Sequence, residues 1–164
     1  MNPFNPGCIA RGLMTENDLP NRMEKDTECH TPRILVATIP GTGLEVYAFG
    51  NETILSVFLE RIAATLVEKD MSPFALMLSA QQGKDENLFK QEVKWVIGHG
   101  STVAISAEIE YHGSTPGVSV RVAGDPDGWS HLMMVLIHDL LKDGFSFEAI
   151  VECLQTGARS ATKK

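Results

Sequence analysis

The sequence predicts an α+β fold made of two similar halves, each running strand, strand, helix, helix, with the helices packed on an antiparallel sheet. Residues 43–83 align with residues 117–157 at a constant offset of 74 positions and without gaps. Nine aligned positions are identical: Gly43/Gly117, Val46/Val120, Gly50/Gly124, Ser56/Ser130, Leu66/Leu140, Ser72/Ser146, Ala75/Ala149, Gln81/Gln155 and Gly83/Gly157. Apolar, turn and capping residues coincide at further positions, so we expect an internal duplication.

The repeat divides the chain into five segments. Residues 1–32 hold four prolines and show no regular periodicity, which is typical of a flexible N-terminal arm. Residues 33–83 form the first half and residues 101–157 the second half. Residues 84–100 connect the two halves, and residues 158–164 follow as a tail.

Each half opens with two strands. Residues 34–39 form a β-branched apolar run that ends at a Pro-Gly turn. In the next strand Leu44, Val46 and Ala48 occupy alternate positions, which predicts that they share one face. Residues 103–111 alternate in the same way at the start of the second half. The apolar positions of its second strand are Val118, Val120 and Val122.

A long amphipathic helix follows in each half. Asn51 and Asp125 stand where a short polar side chain caps the first turn, and Pro126 suits the first helical position. Both helices show the i, i+3, i+4, i+7 spacing of an apolar stripe. The stripe of the first helix is Leu55, Phe58, Leu59, Ile62, Ala63, Leu66 and Val67. The stripe of the second is Trp129, Leu132, Met133, Leu136, Ile137, Leu140 and Leu141.

The fourth element is predicted from the second copy. Residues 147–155 have a helical pattern, with Ser146 as the cap and Gly157 just past the end. The first copy has Ser72, Pro73 and Gly83 at equivalent positions, so we predict a helix there too. In the connecting segment, residues 85–97 fit another helix, although its last residues fit the start of a strand equally well.

Composition limits the kinds of partner. The chain has 164 residues, 43% of them hydrophobic, which suits one domain with a sizeable core. Its formal net charge of −7 is spread thinly, without the clustered Lys and Arg that a nucleic-acid backbone requires. No apolar run approaches the roughly 18 residues that a membrane span needs. We therefore predict neither a nucleic-acid nor a membrane partner.

The cysteines and histidines predict a cytoplasmic protein without a metal or cofactor. Cys8, Cys29 and Cys153 are odd in number and scattered, which fits a reducing compartment better than a disulfide framework. The N-terminus has no secretory-signal pattern. Neither a paired-cysteine spacing nor a His-Glu-x-x-His motif is present to bind a metal.

The tetrapeptide His-Gly-Ser-Thr occurs twice and supplies the candidate ligand-binding residues His99, Ser101, His112 and Ser114. The two copies start 13 residues apart with a strand-like segment between them. At about 3.3 Å per residue, the ends of such a strand lie roughly 40 Å apart. Two imidazoles at its two ends cannot act on one atom, so the pattern favours two turns.

Positions at which the two long helices differ suggest an interface. The first helix has Glu60 and Arg61 where the second has Met134 and Val135, which widens the apolar arc of the second helix. Either residues 85–97 cover this arc or another chain does. The candidate interface residues are Met134, Val135, His138 and His131.

These observations favour one class of function over another. No convergent set of catalytic residues is present, so the sequence gives no indication of an enzyme. We expect a non-enzymatic protein-binding or regulatory protein that forms a homodimer and acts through protein–protein contacts. The alternative is a small-molecule or nucleotide-binding protein, including a hydrolase, that uses the His-Gly-Ser-Thr turns.

Overall fold

One antiparallel sheet organises the computed structural model, which describes residues 9–12, 31–39, 43–88, 90–91 and 102–162. The strand order in the sheet is β1-β3-β2-β4-β5, and every neighbouring pair is antiparallel. The strands are β1 (Ile9–Gly12), β2 (Arg33–Ile39), β3 (Gly43–Phe49), β4 (Ala104–His112) and β5 (Thr115–Ala123). The helices are α1 (Glu52–Glu68), α2 (Pro73–Gln82), α3 (Pro126–Lys142) and α4 (Phe147–Thr162). The predicted α+β class is confirmed.

The two long helices begin at the predicted caps. The backbone N–H of Ile54 donates to the Asn51 side chain at 2.8 Å, and that of Gly128 donates to Asp125 at 2.8 Å. Each cap satisfies an amide that has no partner within the helix. Asn51 and Asp125 therefore fix the starts of α1 and α3 at positions 74 residues apart.

The same two helices also end alike. Asp70 adopts a left-handed conformation with φ of 76°, and the N–H of Met71 donates to the carbonyl of Leu66 at 3.0 Å. At the end of α3 the N–H of Phe145 donates to the carbonyl of Leu140, also at 3.0 Å. These bonds belong to the Schellman type of helix ending, which satisfies carbonyls of the last turn.

The fourth predicted element of each segment, residues 33–83 and 101–157, is helical, but the helix in the second is longer than predicted. Ser72 caps α2 by accepting from the N–H of Phe74 at 3.1 Å. In α4, Gly157 does not end the helix, which continues to Thr162. A Cβ at Gly157 would lie 2.2 Å from the carbonyl oxygen of Glu60, so glycine here permits close approach to α1. Residues 158–162 are therefore helix and not a separate tail.

The predicted N-terminal arm contributes one short strand. Residues Ile9–Gly12 form β1, which pairs with β3 from Ile9↔Ala48 to Gly12↔Glu45. The arm prediction relied on local composition, and this strand depends on a pairing partner far along the chain. In the connecting segment, Asp85 caps a helical stretch at residues 86–88 and 90–91 by accepting from the N–H groups of Asn87 and Leu88. Its predicted end, residues 93–97, lies outside the described residues.

The helices lie on one face of the sheet, called here the helix face, and each long helix packs on strands of both halves. α1 packs on β2, β4 and β5, and α3 packs on β2, β3 and β4. α1 also packs against α4, and α3 against α2. The core between them contains the predicted stripe residues, among which Leu55, Phe58, Leu132 and Leu136 are fully buried.

The opposite face of the sheet is called the second face. Tyr47 is 1% exposed there, with the Arg33 guanidinium 4.7 Å above its ring centre. Phe49 and Leu35 pack with Tyr47 in this small cluster. At the β5 end, in contrast, Glu108, Glu110 and Arg121 on the same face are exposed.

The two hairpins share a register but differ in length. The β4–β5 hairpin has two additional residue pairs at its tip, Tyr111↔Pro116 and His112↔Thr115. The remaining pairs of the two hairpins correspond one to one. Residues of β3 correspond to residues of β5 that lie 74 positions later, and residues of β2 to residues of β4 that lie 71 positions later. For example, the pair Val36↔Val46 corresponds to the pair Ala107↔Val120.

Candidate functional site

The predicted ligand-binding residues fall partly on the β4–β5 hairpin. His112 is the last residue of β4, and Ser114 lies in the following turn; both are exposed. His99 and Ser101 lie outside the described residues. Where the structure describes this set, it shows a hairpin turn.

The predicted interface residues lie on α3. Met134 is 4% exposed and Val135 is completely buried within the chain. α2 packs against α3 there, and Gly83 at its end lies close to the carbonyl of Met134. Met134 and Val135 are therefore buried within the chain, and the contact described at Met134 is with the end of α2, whereas the sequence offers residues 85–97 or another chain as the cover. The sequence did not indicate this contact because α2 is distant along the chain.

The two histidines of the predicted interface have different surroundings. His131 is half-buried, whereas His138 is 5% exposed and its Nε2 lies 2.6 Å from Oε2 of Glu86. Glu86 belongs to the connecting segment, so this contact ties that segment to α3. The hydrogen bond with His138 lowers the pKa of Glu86 from its ordinary 4.5.

Replacing Glu86 with glutamine is expected to flatten the acid limb of the pH–stability curve. Because the folded-state pKa of Glu86 is lowered, its contribution to stability is fully present above about pH 4.5 and is lost as pH falls through the folded-state pKa. Urea midpoints measured between about pH 3 and pH 6 would show a shallower decline for Glu86→Gln. Glu148→Gln is the comparison without His138: because hydrogen bonds also lower the Glu148 pKa, this variant should flatten the same limb, and the two effects should add in the double variant. If the urea midpoint of Glu86→Gln declines with falling pH as steeply as that of the unaltered chain, the contribution assigned to Glu86 is contradicted.

A site that the sequence did not indicate lies at the far edge of the sheet. β1 covers the outer edge of β3, whereas β5 ends the strand order on the other side. Among the described residues, no strand pairs with the outer edge of β5. Exposed edges present unpaired backbone N–H and C=O groups that can pair with another strand.

The register of the hairpin shows which groups of β5 point outward. Gly113, with φ of 69°, and Ser114 form a two-residue loop closed by the pair His112↔Thr115. The pair flanking such a loop is hydrogen-bonded, and bonded and non-bonded pairs alternate from there. By this count Pro116, Val118, Val120 and Val122 are non-bonded to β4, so their backbone groups point to the outer edge. Pro116 has no N–H, and the outward donors therefore belong to the three valines.

An apolar groove lies beside this edge, between the start of α1 and the part of the longer hairpin nearer its tip. Its volume is about 180 Å³. Phe58, which is completely buried, belongs to its lining, while Val57 is 41% exposed. The full lining is Thr53, Ile54, Val57, Phe58, Ile109, Pro116, Gly117 and Val118. Such a lining suits an apolar group with little polar character.

The other half has no equivalent of this groove in composition. Val57 corresponds to His131 on α3, and Ile109 corresponds to Thr38 on β2. Thr38 is engaged by the chain itself, because the N–H of Val103 donates to its hydroxyl at 2.9 Å. The apolar groove is therefore a feature of the β5 end and is not repeated at the equivalent positions 74 and 71 residues away.

The described residues contain no cluster of three or more His, Cys, Asp or Glu side chains that could hold a metal ion. Within the same part of the chain, no helix is both long and apolar enough to cross a membrane. Comparison with models of protein families, with curated proteins and with solved structures finds no match for this chain.

Proposed function

We propose that this protein is a non-enzymatic binding protein that acts through protein–protein contacts, made by adding a strand of the partner to the outer edge of β5. The observation that carries the proposal is the outward-pointing backbone of Val118, Val120 and Val122 beside an apolar groove. Strand addition uses main-chain hydrogen bonds for affinity and side-chain pockets for specificity. The setting proposed is the cytoplasm, as the scattered cysteines predict.

The opposite edge of the same sheet provides an example of such an addition. β1 pairs antiparallel with β3 along residues 45–48 although it has only four residues. At the offset of 74, these positions correspond to residues 119–122 of β5. An extended segment of similar length can therefore form the same ladder on β5, where the groove would receive one of its side chains.

We also infer that the two halves arose by internal duplication. Support comes from contacts that repeat at the offset of 74. The Ser79 hydroxyl lies 3.0 Å from that of Ser130, and at the equivalent positions the Cys153 thiol lies beside the Ser56 side chain. These contacts give a packing reason for the shared serine at positions 56 and 130.

The paired glycines support the same inference. Gly83 lies against Met134 and Ile137 of α3, and Gly157 lies against the equivalent Glu60 and Ala63 of α1. At the centre of the sheet, Leu35 of β2 is paired with Ser106 of β4. Ser106 is also the residue that corresponds to Leu35 at the strand offset of 71. An approximate two-fold axis through this pair relates the halves, as expected for a duplicated unit.

Photo-crosslinking can test the proposed contact. With p-benzoyl-phenylalanine at the exposed position Arg121, we expect adducts with a discrete protein, because this side chain projects beside the β5 edge. Val120→Pro removes an outward N–H and leaves the carbonyl of the added strand without its hydrogen bond, which costs about 1.4 kcal/mol or more of binding free energy. The yield of adduct should therefore fall about tenfold. Val120→Ala, which shortens the same side chain but retains that N–H, should leave most of the yield.

The same reagent at Glu152 provides the control for location. Glu152 is exposed on α4, which packs against α1 and α2, so no adduct sensitive to Val120→Pro is expected from it. Adducts from position 121 that survive Val120→Pro unchanged, or that form equally from position 152, would overturn the proposed strand addition.

A further inference from the structure

We infer that the strand added at β5 is β5 of a second copy of this chain, in an antiparallel pair centred on Val120. The inference rests on the proposed function, because it uses the same edge, and it names the partner. A two-fold dimer of this kind joins the two sheets into one continuous sheet. Each copy then contributes the same surface patch to the contact.

The backbone of β5 is self-complementary in this register. Its outward N–H donors belong to Val118, Val120 and Val122, which are symmetric about the central residue. With Val120 opposite Val120 of the other copy, Val118 faces Val122 on both sides of the axis. Every outward donor then meets an acceptor, as an antiparallel ladder requires.

The charges on the second face also suit a second copy. In this register, Arg121 of one copy lies opposite Ser119 of the other, so the two arginines do not face each other. Ser119 is paired within its own chain with the exposed Glu108. Arg121 of each copy therefore lies in the same cross-strand row as Glu108 of the other. Glu110 is also exposed and is paired with Gly117. Because Gly117 has no side chain, the second face has space there for a long side chain.

On the helix face, a second copy in this register would supply a side chain for the groove. Val118 is part of its lining, and Val122 of the other copy would stand opposite Val118 at the mouth of the groove. An apolar cavity of about 150 Å³ is sufficient to hold benzene, so a groove of about 180 Å³ has room for one branched side chain. The contact would cover Val57, which is 41% exposed in the single chain. Two-fold symmetry repeats this burial in both copies.

The first test is the mass of the 164-residue chain by sedimentation equilibrium. We expect a dimer of twice the 17.9 kDa chain mass, converted to a monomer by Val120→Pro, with Val120→Ala weakened no more than about tenfold. Far-UV circular dichroism establishes whether each variant is folded. A dimer that persists in folded Val120→Pro would overturn the inference.

The second test reads the register and does not depend on Val120→Pro folding. In a chain with Cys8→Ser and Cys29→Ser, the variants Ser119→Cys and Arg121→Cys should form a disulfide with each other when mixed and oxidised. The register puts these residues opposite one another as a non-bonded pair, with Cα atoms about 4.5 Å apart. Neither variant alone should crosslink efficiently, because each cysteine then faces a different residue.

The outcomes separate the two proposals. A mixed disulfide between the two variants supports the second copy as the partner, whereas equal crosslinking in the single variants overturns this register. If the chain is a monomer at all concentrations but position 121 gives an adduct of another protein that Val120→Pro removes, the proposed function stands and the homodimer inference fails. If no adduct sensitive to Val120→Pro forms and the chain is a monomer, both fail.

Discussion

Replacing Gly157 with alanine is expected to destabilise the protein by about 3 kcal/mol or more, although alanine is normally the better residue within a helix. The added Cβ would lie 2.2 Å from the carbonyl oxygen of Glu60 and 2.8 Å from the Cβ of Ala63. Because the nearer contact is backbone, no side-chain rotation can relieve it. α4 would have to move away from α1, which would open the core that both helices cover.

Urea unfolding followed by circular dichroism would measure this effect. Thr156→Ala is the control for helix propensity, since Thr156 is exposed one residue earlier in α4 and should change the free energy of unfolding by about 0.5 kcal/mol or less. Gly83→Ala tests the equivalent glycine, where the closest atoms are Cγ2 of Ile137 at 3.0 Å and the carbonyl oxygen of Met134 at 3.1 Å, both farther than the carbonyl oxygen of Glu60 is from a Cβ at position 157. We expect a smaller loss there. A Gly157→Ala chain as stable as Thr156→Ala would contradict the close approach of α4 to α1.

Gly157 also shows the limit of local sequence patterns. A glycine after an apolar helical pattern is typical of a helix end, and this interpretation was wrong at Gly157 because the helix continues to Thr162. The actual requirement is imposed by Glu60, which is nearly a hundred residues earlier in the chain. Where the signal was local the prediction was confirmed, as with the caps Asn51 and Asp125, whose side chains accept from nearby amides.

Long-range pairing accounts for the features that the sequence did not predict. The alternation of Val118, Val120 and Val122 resembles that of Leu44, Val46 and Ala48, so both strands have a similar local pattern. Only the sheet order shows that β1 covers the β3 edge and that β5 ends the order on the other side. The candidate site at β5 therefore required the structure, whereas the strands themselves did not.

Residues shared by the halves and residues that differ between them have separate roles. The shared Ser56 and Ser130 make equivalent packing contacts, which favours an architectural reason for their identity. The differing pair Val57 and His131 distinguishes the apolar groove from its counterpart. Met134 and Val135 differ from their equivalents for an internal reason, since both are buried in the same chain. Differences between the halves thus indicate a candidate site only where the residues are also accessible.

Leu66→Ala and Leu140→Ala are expected to destabilise the protein by similar amounts, about 3 kcal/mol each. These leucines are identical in the two halves, are completely buried, and lie in the last turns of α1 and α3. Each also provides the carbonyl that ends its helix, through equivalent 3.0 Å bonds with Met71 and Phe145. Because alanine retains the carbonyl, the substitution removes only the packed side chain and leaves a cavity.

The comparison of the two values tests the equivalence of the halves, and it is independent of the dimer. Urea unfolding at a protein concentration where the folded chain is a monomer, or with the Val120→Pro variant as background, removes any contribution from association. Val57→Ala, at an exposed position of α1, should cost less than about 1 kcal/mol and controls for side-chain shortening on a helix surface. Losses at Leu66 and Leu140 that differ by more than about 2 kcal/mol would mean that one end of the core collapses around the cavity and the other does not. Equal losses would show that equivalent helix ends in the two halves are packed to the same degree, which is the energetic counterpart of the contacts that repeat at the offset of 74.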